Sequence, residues 1–373
     1  MNSHEKTIIT RLIYLILIVI ATGALITVVA MLNSDASYPY IITLADPLEP
    51  DAASDSISAV AAPEDAYESI ILRFAGSCTV GSLLGSDTYG TFNAALAENG
   101  SGYFLENLSK MLTSSDLTVA GCASVISDEV MANDELRSGV LGDKYLSGAA
   151  AAEIFTSGGI DALSLEFGRT NAFGSIGYSG TKDTLTGAGL DYADAGKALY
   201  LEKAGIRIGV YCRSITDETS AESIRSWLST AVEKNDYLIL YLSEQSDDDH
   251  GSYLPDEEKK AMFRSFVDSG ADIVVGTNGA CIQPYERYGK GCIVYSLGAL
   301  IDGSSKYPDP YTMLLRVELR AVDGKIDDAA YSLTPCRTYT DSDSWKPSIL
   351  EASAEYDSVR DFMRGAKPSP TSN

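Results

Sequence analysis

Five runs of aliphatic and β-branched residues each stop at a glycine: "SIILRFAG" (69–76), "DLTVAG" (116–121), "DALSLEFG" (161–168), "ADIVVG" (271–276) and "GCIVYSLG" (291–298). Short apolar runs without polar alternation describe strands covered on both faces. A glycine at the end of such a run marks a sharp turn or a close approach of another backbone. "IRIGVYCR" (206–213) and "DYLILYLS" (236–243) add two more strands. Helical stretches fall between the runs. "YFLENLSKML" (103–112) has apolar residues at helical spacing, and "AAAAEIFTSGGI" ends at Gly158–Gly159. "AESIRSWLSTAVEKN" is amphipathic, and "PDEEKKAMFRSFVDSG" carries Pro255 at its start, acids in its first turn and Gly270 past its end. Strand and helix in alternation predict a layered α/β domain over residues 69–340. The last two strands are expected to form a hairpin around Asp323–Gly324, and one helix (348–365) is expected in the tail 341–373.

The N-terminus sets the expected compartment. "LIYLILIVIATGALITVVAML" (12–32) holds no charge, and at roughly 1.5 Å per residue it matches the hydrocarbon thickness. No small-residue cleavage site follows it, so an uncleaved anchor is expected rather than a removed signal. Lys6 and Arg11 precede the span, whereas Asp35, Asp46, Glu49 and Asp51 follow it. The positive-inside rule then puts residues 1–11 in the cytoplasm and the main domain outside the cell. Residues 33–68, rich in Ala, Ser, Asp and Pro, read as a stalk. The formal charge of -24 disfavours nucleic acid as a partner, because a phosphate backbone would be repelled.

The order of segments resembles the CapA-type poly-γ-glutamate capsule biosynthesis proteins, the PGA_cap family, across about residues 69–340. "GADIVVGTNGACIQPYERYGKGCIVYSLGALI" is similar to that family's G-A-D-V-V-x-G-H-H-P-H-x-x-Q…Y-x-x-G…I-x-Y-S-L-G-N-F, and "DLTVAGCAS" to its D-L-x-x-x-N-L-E-x. "RFAGSCTVG" resembles the opening F-x-G-D-x-M-x-G, and "GIDALSLEFGRTNAFG" the segment G-F-D-x-x-x-x-A-N-N-H-x-x-D-x-G. The resemblance implies a four-layer α/β/β/α fold like that of the calcineurin-type metallophosphoesterases.

It also implies a site whose ligands are gone. The family's opening aspartate falls on Ser77, its N-x-E pair on Gly121 and Ala123, and its N-N-H on Phe167, Gly168 and Arg169. The aspartate three residues on becomes Ala172. The histidine after the fifth strand becomes Ser243, and the glutamate four further on becomes Asp247. The H-x-H pair becomes Thr277 or Asn278, with Ala280, and the closing asparagine becomes Ala299. The chain has two histidines, His4 ahead of the apolar span and His250 in a polar loop. A two-metal phosphoesterase needs several imidazoles and carboxylates converging on its ions. No cofactor is therefore expected, the ancestral divalent pair being lost, and no catalytic residue is assigned.

Six cysteines remain, with no CxxC spacing. Under the resemblance Cys78, Cys122, Cys212 and Cys281 lie at or just past strand ends, where α/β folds place their ligands. Three readings stay open for them: a disulfide staple in an oxidising compartment, buried small hydrophobes, or a new thiolate metal or redox site. "SEQSDDDHGSYLPDEE" (243–258) offers Asp247, Asp248 and Asp249 to a hard cation, without EF-hand spacing. A serine hydrolase built on Ser77 or Ser243 with His250 lacks a nucleophile elbow. "GSGYF", "GSIGYSGT" and the 22 tyrosines leave room for a binding surface. The expected role is a membrane-anchored, extracellular, non-catalytic protein that binds or scaffolds in capsule or envelope-polymer synthesis or export. Its expected partners are the membrane, the polymer, or other membrane proteins of capsule synthesis. A hydrolase with a remodelled site and an envelope protein-interaction module are the alternatives.

Overall fold

The structure, a computed structural model, describes residues 42–44, 67–84, 90–138, 144–244, 252–277, 281–305, 308–340 and 344–371. The expected N-terminal segment 1–11, the span 12–32 and most of 33–68 lie outside the described residues, as do Asp247, Asp248, Asp249, His250, Asn278 and Ala280. Among the described residues no helix is long and apolar enough to cross a membrane.

The strands are β1 (Ile42–Thr43), β2 (Glu68–Thr79), β3 (Ser82–Leu83), β4 (Leu117–Cys122), β5 (Val125–Ile126), β6 (Tyr145–Ser147), β7 (Ala162–Ser164), β8 (Asp191–Ala193) and β9 (Leu199–Lys203). They continue with β10 (Ile206–Ile215), β11 (Tyr237–Glu244), β12 (Ile273–Thr277), β13 (Ile282–Tyr288), β14 (Gly291–Leu297), β15 (Ala299–Asp302), β16 (Tyr311–Val322), β17 (Lys325–Arg337) and β18 (Ser348–Ile349). The α-helices are α1 (Phe92–Asn99), α2 (Glu106–Leu112), α3 (Asp128–Ala132), α4 (Asp134–Ser138), α5 (Ala152–Gly158), α6 (Gly174–Gly187), α7 (Glu218–Ala231), α8 (Glu257–Asp268) and α9 (Ala354–Met363).

Two large sheets carry the fold. The first runs β1-β17-β16-β2-β4-β7-β8, with β15 also on β2 and β18 on β17; the second runs β13-β14-β12-β11-β10-β9. A small third sheet orders β3-β6-β5. The parallel centres are β2, β4, β7 and β8 in one sheet and β10, β11, β12 and β14 in the other, and the five glycine-terminated runs supply β2, β4, β7, β12 and β14. Leu72, Phe74 and Val119 of the first sheet meet Ile208, Val210, Ile239, Tyr241 and Val275 of the second in one apolar core. On the other face of the second sheet, Leu238, Leu240, Leu242 and Val274 pack under Ile224, Leu228, Phe263 and Phe266 of α7 and α8. On the other face of the first, Thr118 Oγ1 donates to Leu112 O of α2 at 2.9 Å and Arg73 reaches Ser114.

Local chemistry explains the clearest elements. Helix α7 opens with a capping box between Asp217 and Ser220, and α8 with Asp256 accepting from Lys259 N at 2.7 Å. Gly270, past the end of α8, has φ 112°. The β16–β17 hairpin turns at Asp323 and Gly324, both left-handed (φ 51° and 72°), as its two-residue loop demands.

A device repeats along the amino edge of both sheets. Asp116, Asp161, Asp236 and Asp272 each stand just ahead of a strand and accept the backbone N–H of the neighbouring strand: Ile71, Thr118, Arg207 and Leu238 respectively, at 2.7–2.8 Å. Each aspartate's own N–H donates back to the carbonyl of that same residue.

Two expectations need correction. The stalk reading of 33–68 breaks at β1, where Ile42 pairs with Leu333, is wholly buried, and is followed by Leu44 N donating to Tyr331 O at 3.1 Å. "GSIGYSGT" forms the first turns of α6, where glycine lets the helix close on its neighbour: a Cβ at Gly180 would stand 2.5 Å from Ser127 Oγ. In the tail, the helix is confined to Ala354–Met363, and Ser348–Ile349 is a strand on β17.

Candidate functional site

The carboxyl ends of the parallel strands from both sheets meet at one edge of the core. The register there unites several positions that the resemblance singled out. Ser77 on β2 is flanked by Gly121 on β4 and by Ala299 on β15. Ala123 follows directly, its N–H donating to Cys78 O at 2.8 Å. Phe167 and Arg169 come from the segment after β7, and Ser243 and Thr277 close β11 and β12.

The space between these positions is filled by side chains. Phe167 lies over Gly121: a Cβ added at Gly121 would stand 2.3 Å from Phe167 Cζ and 3.2 Å from Tyr241 Oη. The Tyr241 hydroxyl crosses from the second sheet to donate to Ala75 O of the first at 2.8 Å, and Ser243 Oγ does the same to Glu166 O. Phe167, Tyr241, Ala123 and Cys212 all belong to the inter-sheet core. Thr277 Oγ1 is turned back to Leu242 O at 2.9 Å. Of the described positions that the resemblance singled out, Gly168 is exposed and Arg169 and Ala172 are half-buried, the Arg169 guanidinium lying 4.9 Å above the Tyr145 ring.

Of the four cysteines expected at strand ends, three gather here. Cys78 and Cys122 are register partners on β2 and β4, and Cys212 pairs in register with Tyr241. All are wholly buried free thiols. Burial holds the Cys78 thiol far above its ordinary range, with Cys122 beside it adding to the shift, and pushes Cys122 to about 11 and Cys212 to about 12. Such thiols are protonated and poorly nucleophilic at neutral pH. Cys281 lies apart, donating to Ser252 O at 3.4 Å, and Ser296 Oγ donates to its carbonyl at 2.7 Å. Among the described residues no group of three or more His, Cys, Asp or Glu could hold a metal ion.

One polar cluster was not foreseen. Lys259 of α8 joins Glu244 Oε2 at 2.7 Å and Gln283 Oε1 at 2.6 Å, and Gln283 Nε2 donates to Ser252 O at 2.6 Å. Glu244 Oε1 is buried with no hydrogen-bond partner among the described residues. Burial raises the Glu244 carboxyl and lowers the Lys259 amine, each against the pull of its partner. No pattern in the chain announces it, because Lys259 follows "DEE" at the start of an exposed-looking helix.

A family model described as "Bacterial capsule synthesis protein PGA_cap" matches residues 74–304. The chain belongs to this family. The PGA_cap match runs from the middle of β2 to just beyond β15 and so takes in every strand whose carboxyl end lines the edge described above. Among curated proteins, "Capsule biosynthesis protein CapA" of Bacillus anthracis is 24% identical in an alignment of 156 residues that covers 35% of this chain and 38% of that protein. The chain thus spans little more than a third of that PGA_cap relative. Among solved structures, "GAP50 the anchor in the inner membrane complex of Plasmodium" is 12% identical, with 70% of this chain and 88% of that chain covered at a TM-score of 0.31.

Proposed function

We propose that this chain is a non-catalytic member of its family, binding or ordering components of capsule or envelope-polymer synthesis or export. The observation that carries this reading is the packing at Gly121. A two-metal centre needs carboxylates and imidazoles converging on ions about 3.5–4 Å apart. The resemblance puts Ser77, Gly121, Ala123, Arg169, Ser243, Asn278 and Ala280 at those positions, and Phe167 and Tyr241 take up the room a larger side chain at 121 would need. That donor set does not fit a divalent pair.

Residues 12–32 are proposed to anchor the chain in the cell membrane, with Lys6 and Arg11 on the cytoplasmic side and the main domain outside. The partners proposed are other membrane proteins of capsule synthesis, or the polymer itself, of the poly-γ-glutamate kind.

The test is the metal content of the purified full-length chain after loading with manganese, iron or zinc and desalting. Trace metal is expected. Near-stoichiometric manganese or iron overturns the non-catalytic reading, and zinc released on thiol blocking would assign the metal to Cys78, Cys122 and Cys212. One observation favours a remodelled hydrolase instead: the unpartnered Glu244 oxygen beside Lys259. Hydrolysis of bis-p-nitrophenyl phosphate that disappears in Glu244→Gln would establish it.

A further inference from the structure

The buried polar cluster at the start of α8 holds an amine, an amide and a carboxyl in mutual contact. Lys259 Nζ donates to Gln283 Oε1 at 2.6 Å and to Glu244 Oε2 at 2.7 Å. All three groups are withdrawn from water: the side chains of Lys259 and Glu244 are 12% and 18% exposed, and Gln283 is 1% exposed. The ring of Phe263, wholly buried, stands 5.1 Å from Nζ. A buried ion pair of this kind adds little stability in itself, because desolvation offsets the attraction. It does set up a reaction. An amine 2.6 Å from a carbonyl oxygen lies about 3.5 Å from the carbonyl carbon, the separation of a near-attack pair.

We propose that Lys259 and Gln283 join, with no helper enzyme, in an amide bond that cross-links α8 to β13, Glu244 acting as the catalytic acid and base. The Lys259 ammonium gives a proton to Glu244, and the freed lone pair attacks Gln283 Cδ. The Nζ–Cδ bond forms, and Glu244 relays the proton that Nζ then sheds to the amide nitrogen. The Cδ–Nε2 bond breaks, its electron pair leaving with the nitrogen as ammonia. Glu244 returns its first proton to that ammonia and ends as it began. Nothing is oxidised or reduced, and the atoms balance without a co-reactant.

Burial raises the Glu244 carboxyl and lowers the Lys259 amine, so moving the proton between them yields an uncharged pair suited to the dry site. Glu244 Oε1, buried with no hydrogen-bond partner among the described residues, is the oxygen left free to carry the relayed proton. Gln283 Nε2 donates to Ser252 O at 2.6 Å, which fixes the amide plane and holds the leaving nitrogen. Lys203 shows the contrast: its partners are Asp116 and a backbone carbonyl, with no side-chain amide, and its side chain is 36% exposed. Cys281 is the rival nucleophile, because its Sγ donates to the same Ser252 O at 3.4 Å. Burial pushes that thiol to about 12, which keeps it protonated. Strand β13 ends its sheet and pairs only with β14, so the bond fastens an edge strand that its ladder holds from one side. The inference does not rest on the envelope role, and it gives the free Glu244 oxygen a use other than hydrolysis.

The test is the intact mass of the purified full-length chain, followed by peptide mapping. The parent should weigh one ammonia less than its sequence, and its digest should hold a branched peptide linking residue 259 to residue 283. Lys259→Arg, which keeps the charge, and Glu244→Gln should each show the full sequence mass and no branch. Cys281→Ser should keep both the mass loss and the branch. A parent at full sequence mass overturns the proposal, and so does an ammonia loss that maps to any other residues. A mass loss abolished by Cys281→Ser and reversed by methylamine is one such result, since it marks a thioester. A branch that persists in Glu244→Gln overturns the role given to Glu244. The parent's own mass decides the cross-link, so the test stands even where a variant fails to fold.

Discussion

Replacing Gly121 by alanine is the most direct probe of the closed edge. Gly121 has no left-handed φ, so its backbone accepts alanine and the whole penalty is steric. The new methyl would stand 2.3 and 2.4 Å from two ring carbons of Phe167, which is 9% exposed in the inter-sheet core. Gly121 is fixed between Ser77 and Ser164 in register, so the strand cannot move aside. Overpacking of this kind costs about 1–3 kcal/mol, and the closeness here points to the upper end, about 3 kcal/mol. Phe167→Ala alone should cost about 3–5 kcal/mol through the cavity it leaves. In that background Gly121→Ala should add less than about 1 kcal/mol, a coupling of about 2–3 kcal/mol between the sites. Guanidinium unfolding of the two single variants and the double variant measures it, and thermal unfolding should show Gly121→Ala lower by roughly 5 °C. Equal penalties for Gly121→Ala with and without Phe167 would refute the argument that the ring fills the space over Gly121.

Thiol titration in denaturant without reductant should count six cysteines, and the native chain should react slowly, because burial keeps Cys78, Cys122 and Cys212 protonated and shielded. A count of four, with the missing pair mapped to Cys78 and Cys122, would mean that these register partners had joined as a staple. Asp272→Asn should change the pH dependence of stability. Burial raises the folded Asp272 carboxyl above its ordinary 3.8, so its contribution is full below that value and is lost as pH rises through the folded value. The stability advantage of the parent over Asp272→Asn should therefore shrink with rising pH in unfolding curves taken from pH 4 upward. An advantage that grows with pH would contradict the burial argument.

The parallel centres were legible in the sequence because their constraints are local. A Cβ at Gly76 would stand 1.8 Å from Gly298 O, and one at Gly276 would stand 2.1 Å from Tyr295 O, so those run-ending glycines are demanded by the packing itself. Helices α7 and α8 announced themselves through caps and apolar spacing, and the last hairpin through Asp323–Gly324. What stayed hidden depended on partners distant in the chain. Strand β1 exists only because β17 offers it an edge, and α6 is helical despite its glycines because close packing wants them. The substituted positions were readable through the resemblance, and the register of Ser77, Gly121 and Ala299 brings three of them together. That Phe167 and Tyr241 turn inward to cover Gly121 was not readable, since an aromatic residue in an apolar run looks the same wherever it points.

The four aspartates at the amino edge leave the carboxyl edge of the sheets free to vary. Each ties two neighbouring strands at their starts, at the end of the sheets away from the candidate site. Strand order and alignment are thus written at one margin of the molecule, and reactivity at the other. Such a scaffold can exchange every polar residue at its working margin without scrambling its own wiring. A lineage of this shape can rewrite one side of the page and keep the other.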